Sequence, residues 1–315
     1  MKKILLALAF SSASLTAWAV NTWTYCGDMY VMGSECTPEA TVITLTYPGN
    51  PLYQAARAGD KAGGEVLIRE GNDLNRVYEG AGFLPHSLLN LSLFEEDKKA
   101  FATLLALGAD PNFLGKQEET PMHAAAKKED PWYLETLLAH GGDANVRDID
   151  GKTPLFAAAS LGGSGSIERL VRAGADVQAK DEDGQTPLFA VIGGSLNKGS
   201  FTQLLDAGAD IHATDNDGNT LLHASARYGF RNNDIFWRLL QMGVDPRAKN
   251  RYGNTFQCDF FFEVPSDEPF ATQVRDWLTA RGIPLDSKAD CHPVPAKPSK
   301  YWERRMPHSV KPAQR

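Results

Sequence analysis

Between residues 50 and 286, apolar positions recur in two linked blocks. The first is a short run of leucine and alanine opened by Thr-Pro, as in TPLFAAA at 153–159. The second is a leucine pair followed by glycine, as in LVRAGADVQ at 170–178. Each block predicts a helix. Threonine can cap the first by accepting a backbone N–H, and proline in the next position presets φ where its missing N–H costs nothing. The pairs Leu104-Leu105, Leu137-Leu138, Leu170-Val171, Leu204-Leu205 and Leu239-Leu240 place an apolar stripe on the second. Gly108, Gly141, Gly174, Gly208 and Gly243 fit a left-handed C′ position that ends it.

With the threonine as marker, the anchors are Asn50, Leu84, Thr120, Thr153, Thr186, Thr220 and Thr255, at successive intervals of 34, 36, 33, 33, 34 and 35. Self-similarity at this period marks a stacked array. TPMHAAA at 120, TPLFAAA at 153, TPLFAVI at 186 and TLLHASA at 220 resemble the ankyrin repeat, as do the second halves LLALGADPN, LLAHGGDAN, LVRAGADVQ, LLDAGADIH and LLQMGVDPR. The resemblance covers residues 50–286. It implies a mostly α solenoid of about seven helix-turn-helix units with β-hairpin tips, for which Asp-x-Asp/Asn-Gly at 148–151, 181–184 and 215–218 supplies turn chemistry.

The ends of the array depart from the pattern, as terminal repeats do. In the second unit LPHSLLN replaces the tetrad, and the step from Ser87 to Leu104 is longer than the step from His123 to Leu137, which predicts three extra residues between its helices. In the seventh, Phe256 follows Thr255 in place of proline, and FFFEVPSDEP lengthens the segment between helices.

The flanks differ in composition. Lys2 and Lys3, the apolar run Ile4 to Phe10 and Ala17-Trp18-Ala19 read as a signal peptide over residues 1–19, too short and too serine-rich to span a bilayer. Residues 20–49 are expected to form a small N-terminal β cap. TVITLTY at 41–47 predicts its strand, and a loop closed by Cys26 and Cys36 would contribute roughly 3 kcal/mol. Residues 287–315 read as a proline-rich basic tail, either solvated or packed along the array through Tyr301 and Trp302. Export predicts a periplasmic or secreted protein, where Cys258 and Cys291 would also pair; a zinc site lacks its C-x-x-C or H-x-x-x-H spacing.

Charge narrows the partners. The full chain carries −7, and removing Lys2 and Lys3 takes it to −9. Such a surface disfavours nucleic acid and anionic membranes and favours a basic partner.

The sequence offers no catalytic residue and no cofactor motif. His123 and His223 hold the tetrad position that the resemblance assigns to hydrogen bonds between turns, and Phe156 and Phe189 fill that slot in other units. GGSGS at 162–166 falls short of a nucleophile elbow and lies between two helices. The tip aspartates, Asp148, Asp150, Asp181, Asp183, Asp215 and Asp217, line one edge but lack the further ligands of a calcium loop.

The reading is therefore a non-enzymatic, monomeric scaffold that binds another protein in a concave groove. The resemblance assigns to that groove Lys127, Lys128, Ser160, Leu161, Arg227 and Tyr228, and from the tips Arg147, Ile149, Glu182, Asn216, Arg251 and Tyr252. Arginine and tyrosine weigh most, as common interface anchors. The chain resembles the exported bacterial type of ankyrin-repeat protein, which includes candidates for immunity proteins that neutralise a toxin delivered into the periplasm. An adaptor for a periplasmic enzyme is the alternative within the class. An enzyme with its chemistry in the flanks is the alternative outside it, although neither flank is long enough to bury an independent core.

Overall fold

The structure, a computed structural model, describes residues 23–26, 29–32, 50–76, 87–115, 119–161, 165–194, 198–227, 233–263 and 268–293. The chain divides into two compact units, residues 1–210 and 211–315. The first contains helix pairs α1 (Pro51–Ala58) with α2 (Lys61–Arg69), α3 (Leu88–Phe94) with α4 (Lys98–Ala106), α5 (Pro121–Ala126) with α6 (Pro131–Ala139), α7 (Pro154–Leu161) with α8 (Ser166–Arg172), and α9 (Pro187–Gly193) with α10 (Lys198–Asp206). The second contains α11 (Leu221–Arg227) with α12 (Asn233–Gln241), and α13 (Phe256–Glu263) with α14 (Pro269–Ala280).

Helices of six to twelve residues are too short to persist alone, so packing must hold them. In the first unit α3, α5, α7 and α9 pack in one row and α4, α6, α8 and α10 in a second. Alanine makes the first row close: Ala125, Ala126, Ala158 and Ala159 are buried where a longer side chain would hold neighbouring helices apart. Leu104, Leu137 and Leu170 are buried from the second row. In the second unit, Phe236 stacks on Phe260 at 5.6 Å and meets Phe256 and Phe270 edge-on at 5.4 and 5.5 Å. These aromatics account for the departure of the seventh tetrad: Phe256 stands where proline follows Thr120, Thr153 and Thr186, and is spent on the core.

The ends of the second helices follow from sequence, whereas the expected threonine cap is not made at Thr153 and Thr186, whose buried hydroxyls accept no backbone N–H. Gly108, Gly141, Gly174, Gly208 and Gly243 all have positive φ, between 88° and 96°. No atom lies within 4 Å of a Cβ built on any of them, so the sign of φ and not crowding requires glycine there.

Three expectations are corrected. The tips are not β-hairpins: among the described residues of 50–293 no strand occurs, and Thr214 and Thr220 form only an isolated bridge. The reason lies in where the donors go. Asp148 Oδ1 accepts from the N–H groups of Asp150 and Lys152 at 2.9 and 2.8 Å, closing a tight turn with its side chain. The Glu182 N–H then donates sideways to the Asp150 carbonyl of the preceding tip at 2.9 Å. The tip at 148–151 is thus a carboxylate-closed turn bonded to the tip at 181–184, not two strands bonded to each other.

A β cap is likewise not part of the architecture. The strand expected at 41–47 lies outside the described residues. The four-residue strands β1 (Trp23–Cys26) and β2 (Met29–Met32) pair antiparallel as a sheet of two among the described residues, too little to form a layer. The fold is a helical solenoid.

The third correction concerns the second helix pair. Ser87, not Leu84, caps α3, with its Oγ accepting from the Asn90 N–H at 3.2 Å. The tetrad is therefore Ser87-Leu88-Leu89-Asn90, and the step from its cap to Thr120 equals the step from Thr120 to Thr153. The step from Asn90 to Leu104 likewise equals that from His123 to Leu137. The extra residues fall before α3 and not between the helices.

The expected Cys258–Cys291 disulfide is present, with Cα atoms 5.5 Å apart. The signal peptide at 1–19, the partner Cys36 of Cys26 and the tail beyond residue 293 lie outside the described residues. Among the described residues no helix is long and apolar enough to cross a membrane.

Candidate functional site

The tetrad histidines are framework. The Thr120 hydroxyl lies 2.9 Å from His123 Nδ1, and the Thr120 N–H also points at that nitrogen. Nε2 lies 2.9 Å from the Lys152 carbonyl, one unit further on. A carbonyl can only accept, so Nε2 carries the proton and Nδ1 receives both donors. His223 repeats the arrangement with Thr220 and the Asn254 carbonyl, at 2.9 and 3.0 Å. Burial pushes both imidazoles below the ordinary histidine range, which keeps them in this neutral form. Where phenylalanine replaces histidine the link is lost: the Thr153 and Thr186 hydroxyls, beside Phe156 and Phe189, are buried with no hydrogen-bond partner.

The tip aspartates are also framework. Asp181 and Asp215 repeat the turn of Asp148, each accepting from two backbone N–H groups through Oδ1, and Asn250 does the same with its amide oxygen. Burial raises the Asp148 and Asp181 carboxyls, opposed by these same backbone bonds. Among the described residues no group of three or more His, Cys, Asp or Glu is placed to hold a metal ion.

A second ladder runs past the ends of the second helices. Asn112 Oδ1 accepts from the Asp143 N–H at 2.7 Å while Nδ2 donates to the Gly141 carbonyl at 3.0 Å. Asn145 does the same with Asp176 and Gly174, both at 2.8 Å, and Gln178 with Asp210 and Gly208. The recurring amide at the end of GADPN, GDAN and GADVQ is visible in the sequence, yet its use is not. Nothing in one repeat shows that its partner lies in the next.

Against this framework the expected binding residues sort into two sets. Arg147 is spent on the scaffold: its guanidinium donates to the carbonyls of Gly151 and Lys180 at 2.6 and 2.7 Å, tying one tip to the next. Glu182 contributes its backbone to the same link, and Ile149 is half-buried. On the first unit Lys127 and Lys128 follow α5 and pair with Glu119 and Glu96, the latter at 2.7 Å. Lys128 holds the exposed Glu96 carboxyl below the usual range. One turn of the stack away, the Ser160 hydroxyl donates to the Ala157 carbonyl at 3.2 Å, and Leu161 is 53% exposed at the end of α7.

On the second unit the structure brings three expected residues together. Arg251 lies 3.0 Å from the buried Asp217 carboxylate and stacks over the Tyr252 ring at 5.0 Å. The Tyr252 hydroxyl reaches the same carboxylate at 3.4 Å, and Arg251 also reaches the Asn216 carbonyl at 3.4 Å. Arg227 sits apart on α11, 3.5 Å from Asp259 of α13. Tyr228 lies outside the described residues. Sequence reasoning misses the carboxylates that orient these cations, Asp217, Asp259, Glu119 and Glu96. It groups Asp217 with the turn formers, because one repeat cannot reveal a partner in the next.

Comparison with known proteins agrees with this framework. The family model described as "Ankyrin repeats (3 copies)" matches residues 89–181 and 159–250. Among solved structures, the crystal structure of the ankyrin repeat domain of Bcl-3, described as a unique member of the IkappaB protein family, resembles 66% of this chain and 92% of that one. The identity is 24% and the TM-score 0.53, a likeness that speaks for the fold alone. No curated protein matches the sequence.

Proposed function

The chain belongs to the ankyrin-repeat family, and from that premise we propose that it is an exported scaffold, without chemistry of its own, that binds a basic protein. The observation that carries this reading is the division of labour among side chains. Thr120, His123, Asp148, Asn145 and Arg147 are consumed in holding one repeat to the next. Leu161 and the stacked Arg251 and Tyr252 stand at the ends of first helices and on tips, where the scaffold leaves their outer surfaces uncovered.

Arginine and tyrosine are the residue types that anchor protein interfaces, and Leu161 adds exposed apolar area. The acidic balance of the chain, −7, favours a basic partner by steering and by specificity. Export is supported by the charged, apolar and A-x-A segments of residues 1–19, and it makes a toxin the partner that best fits an immunity role.

Two experiments test the reading. Fractionation of cells expressing the tagged full chain, with mass spectrometry of its N-terminus, should find it outside the cytoplasm and starting after Ala19; retention of residues 1–19 on a cytoplasmic chain removes export. Chemical cross-linking followed by affinity capture should yield a basic protein, whose toxicity the chain suppresses on co-expression. Capture of nothing under cross-linking removes the binding role, and a partner whose activity the chain leaves unchanged removes immunity.

A further inference from the structure

After α14 the chain does not run free. Residues 283–293 lie along α13 as a strap, with Ile283 its one buried residue among the described side chains. Polar bonds hold the rest. Asn254 Nδ2 donates to the His292 carbonyl at 2.8 Å while its Oδ1 accepts from the His292 N–H at 2.7 Å. The Thr255 hydroxyl donates to Asp286 at 2.6 Å, and Gln257 bonds the Pro284 carbonyl and the Asp286 N–H, both at 3.1 Å.

The position of Cys258 gives the strap its character. Counted from Thr255, Cys258 stands where His123 stands after Thr120 and His223 after Thr220. In those units the imidazole reaches a carbonyl of the following unit. Here the side chain is bonded to Cys291, at a sequence separation of 33. The link that other units make with a hydrogen bond is made in this one with a bond that thiol exchange can break.

We propose that Cys258–Cys291 is a redox latch: in the presence of a dithiol reductant it opens, and the strap 283–293 leaves α13 while the helix pairs stay folded. Cys291 is half-exposed and Cys258 buried, so a thiolate of the reductant attacks Cys291 Sγ and Cys258 departs as the thiolate. The second thiol of the reductant resolves the mixed disulfide, releasing Cys291. The reductant ends as a disulfide and its two protons end on the two cysteines. The strap then lacks the apolar burial to stay, whereas the Phe236, Phe256, Phe260 and Phe270 cluster and the buried Val274 and Leu278 hold the helices without it.

Hydrogen exchange read by mass spectrometry on the full chain tests this, with and without dithiothreitol. To separate any effect of the reagent at Cys26 and Cys36, a Cys26→Ser/Cys36→Ser variant is measured in parallel. Amides of 283–293 should exchange faster by on the order of 100-fold on reduction, the scale of the loop-closure constraint removed. Those of α11 and α12 should not change, and reoxidation should restore protection. Cys258→Ser/Cys291→Ser should show the reduced pattern without reagent. Unchanged exchange in the strap, or a rise shared equally by α11 to α14, overturns the latch.

Discussion

His123 and His223 show how much one ring does when buried between repeats. Each accepts from a threonine hydroxyl and donates to a carbonyl one unit away. Replacing His123 by phenylalanine, which the fold accepts at 156 and 189, should leave the Thr120 hydroxyl and the Lys152 carbonyl short of a partner. It should cost about 1–3 kcal/mol in urea unfolding; no loss of stability would show the ring to be filler. The pH dependence has a definite sign. Both folded pKa values lie below the unfolded value of about 6.5, so the unfolded chain binds more protons in the interval between them. The stabilisation is full above about pH 6.5 and falls as pH drops through the folded pKa values. Unfolding curves of wild type and His123→Phe/His223→Phe should differ in slope with pH there, the variant being flatter. Parallel curves would mean that the imidazoles do not set that slope. The role of these histidines was legible in the sequence through the tetrad, whereas that of Arg147 was not. A guanidinium on a tip looks the same in sequence whether it faces a partner or the carbonyl of Lys180.

At the scale of elements, the helices were legible because threonine, proline, alanine and glycine mark their ends and contacts chemically. The second helix pair misled because a Leu-Pro pair at 84–85 imitates the usual tetrad opening three residues before the in-register cap, Ser87. The tips misled for a different reason. Asp-x-Asp-Gly is the chemistry of a tight turn, and whether strands flank it depends on where the backbone donors go, which for Glu182 and Arg251 is sideways to the carbonyl of the preceding tip. The amide ladder lends itself to a direct test. Asn145→Ala removes two bonds between consecutive units, and because they are exposed it should cost only about 1 kcal/mol. Thermal unfolding should register that small loss with no change in helical content at low temperature. A loss as large as that of a core truncation would mean the ladder is cooperative.

At the scale of the whole molecule, repetition is what made the fold readable and the binding site hard to read. Residues that recur, such as Thr120, Thr153 and Thr186, define the stack because every unit must meet the same neighbour. Residues that vary are left to meet something else, and no rule internal to the array says what. The carboxylates partnered with Lys127, Lys128, Arg227 and Arg251 could not be assigned from spacing, since no period in the sequence relates each cation to its carboxylate. In the proposed function, framework residues carry stability and exposed variable ones carry binding. The most direct measurement is titration of the captured partner against Leu161→Glu and Tyr252→Ala, with Val66→Glu as a control placing the same charge on α2, where Val66 is 43% exposed. The account predicts that Leu161→Glu or Tyr252→Ala weakens binding tenfold or more, a loss of about 1.4 kcal/mol, with melting temperature unchanged and Val66→Glu indistinguishable from wild type. Equal affinity for all four proteins, or loss only with Val66→Glu, would contradict it.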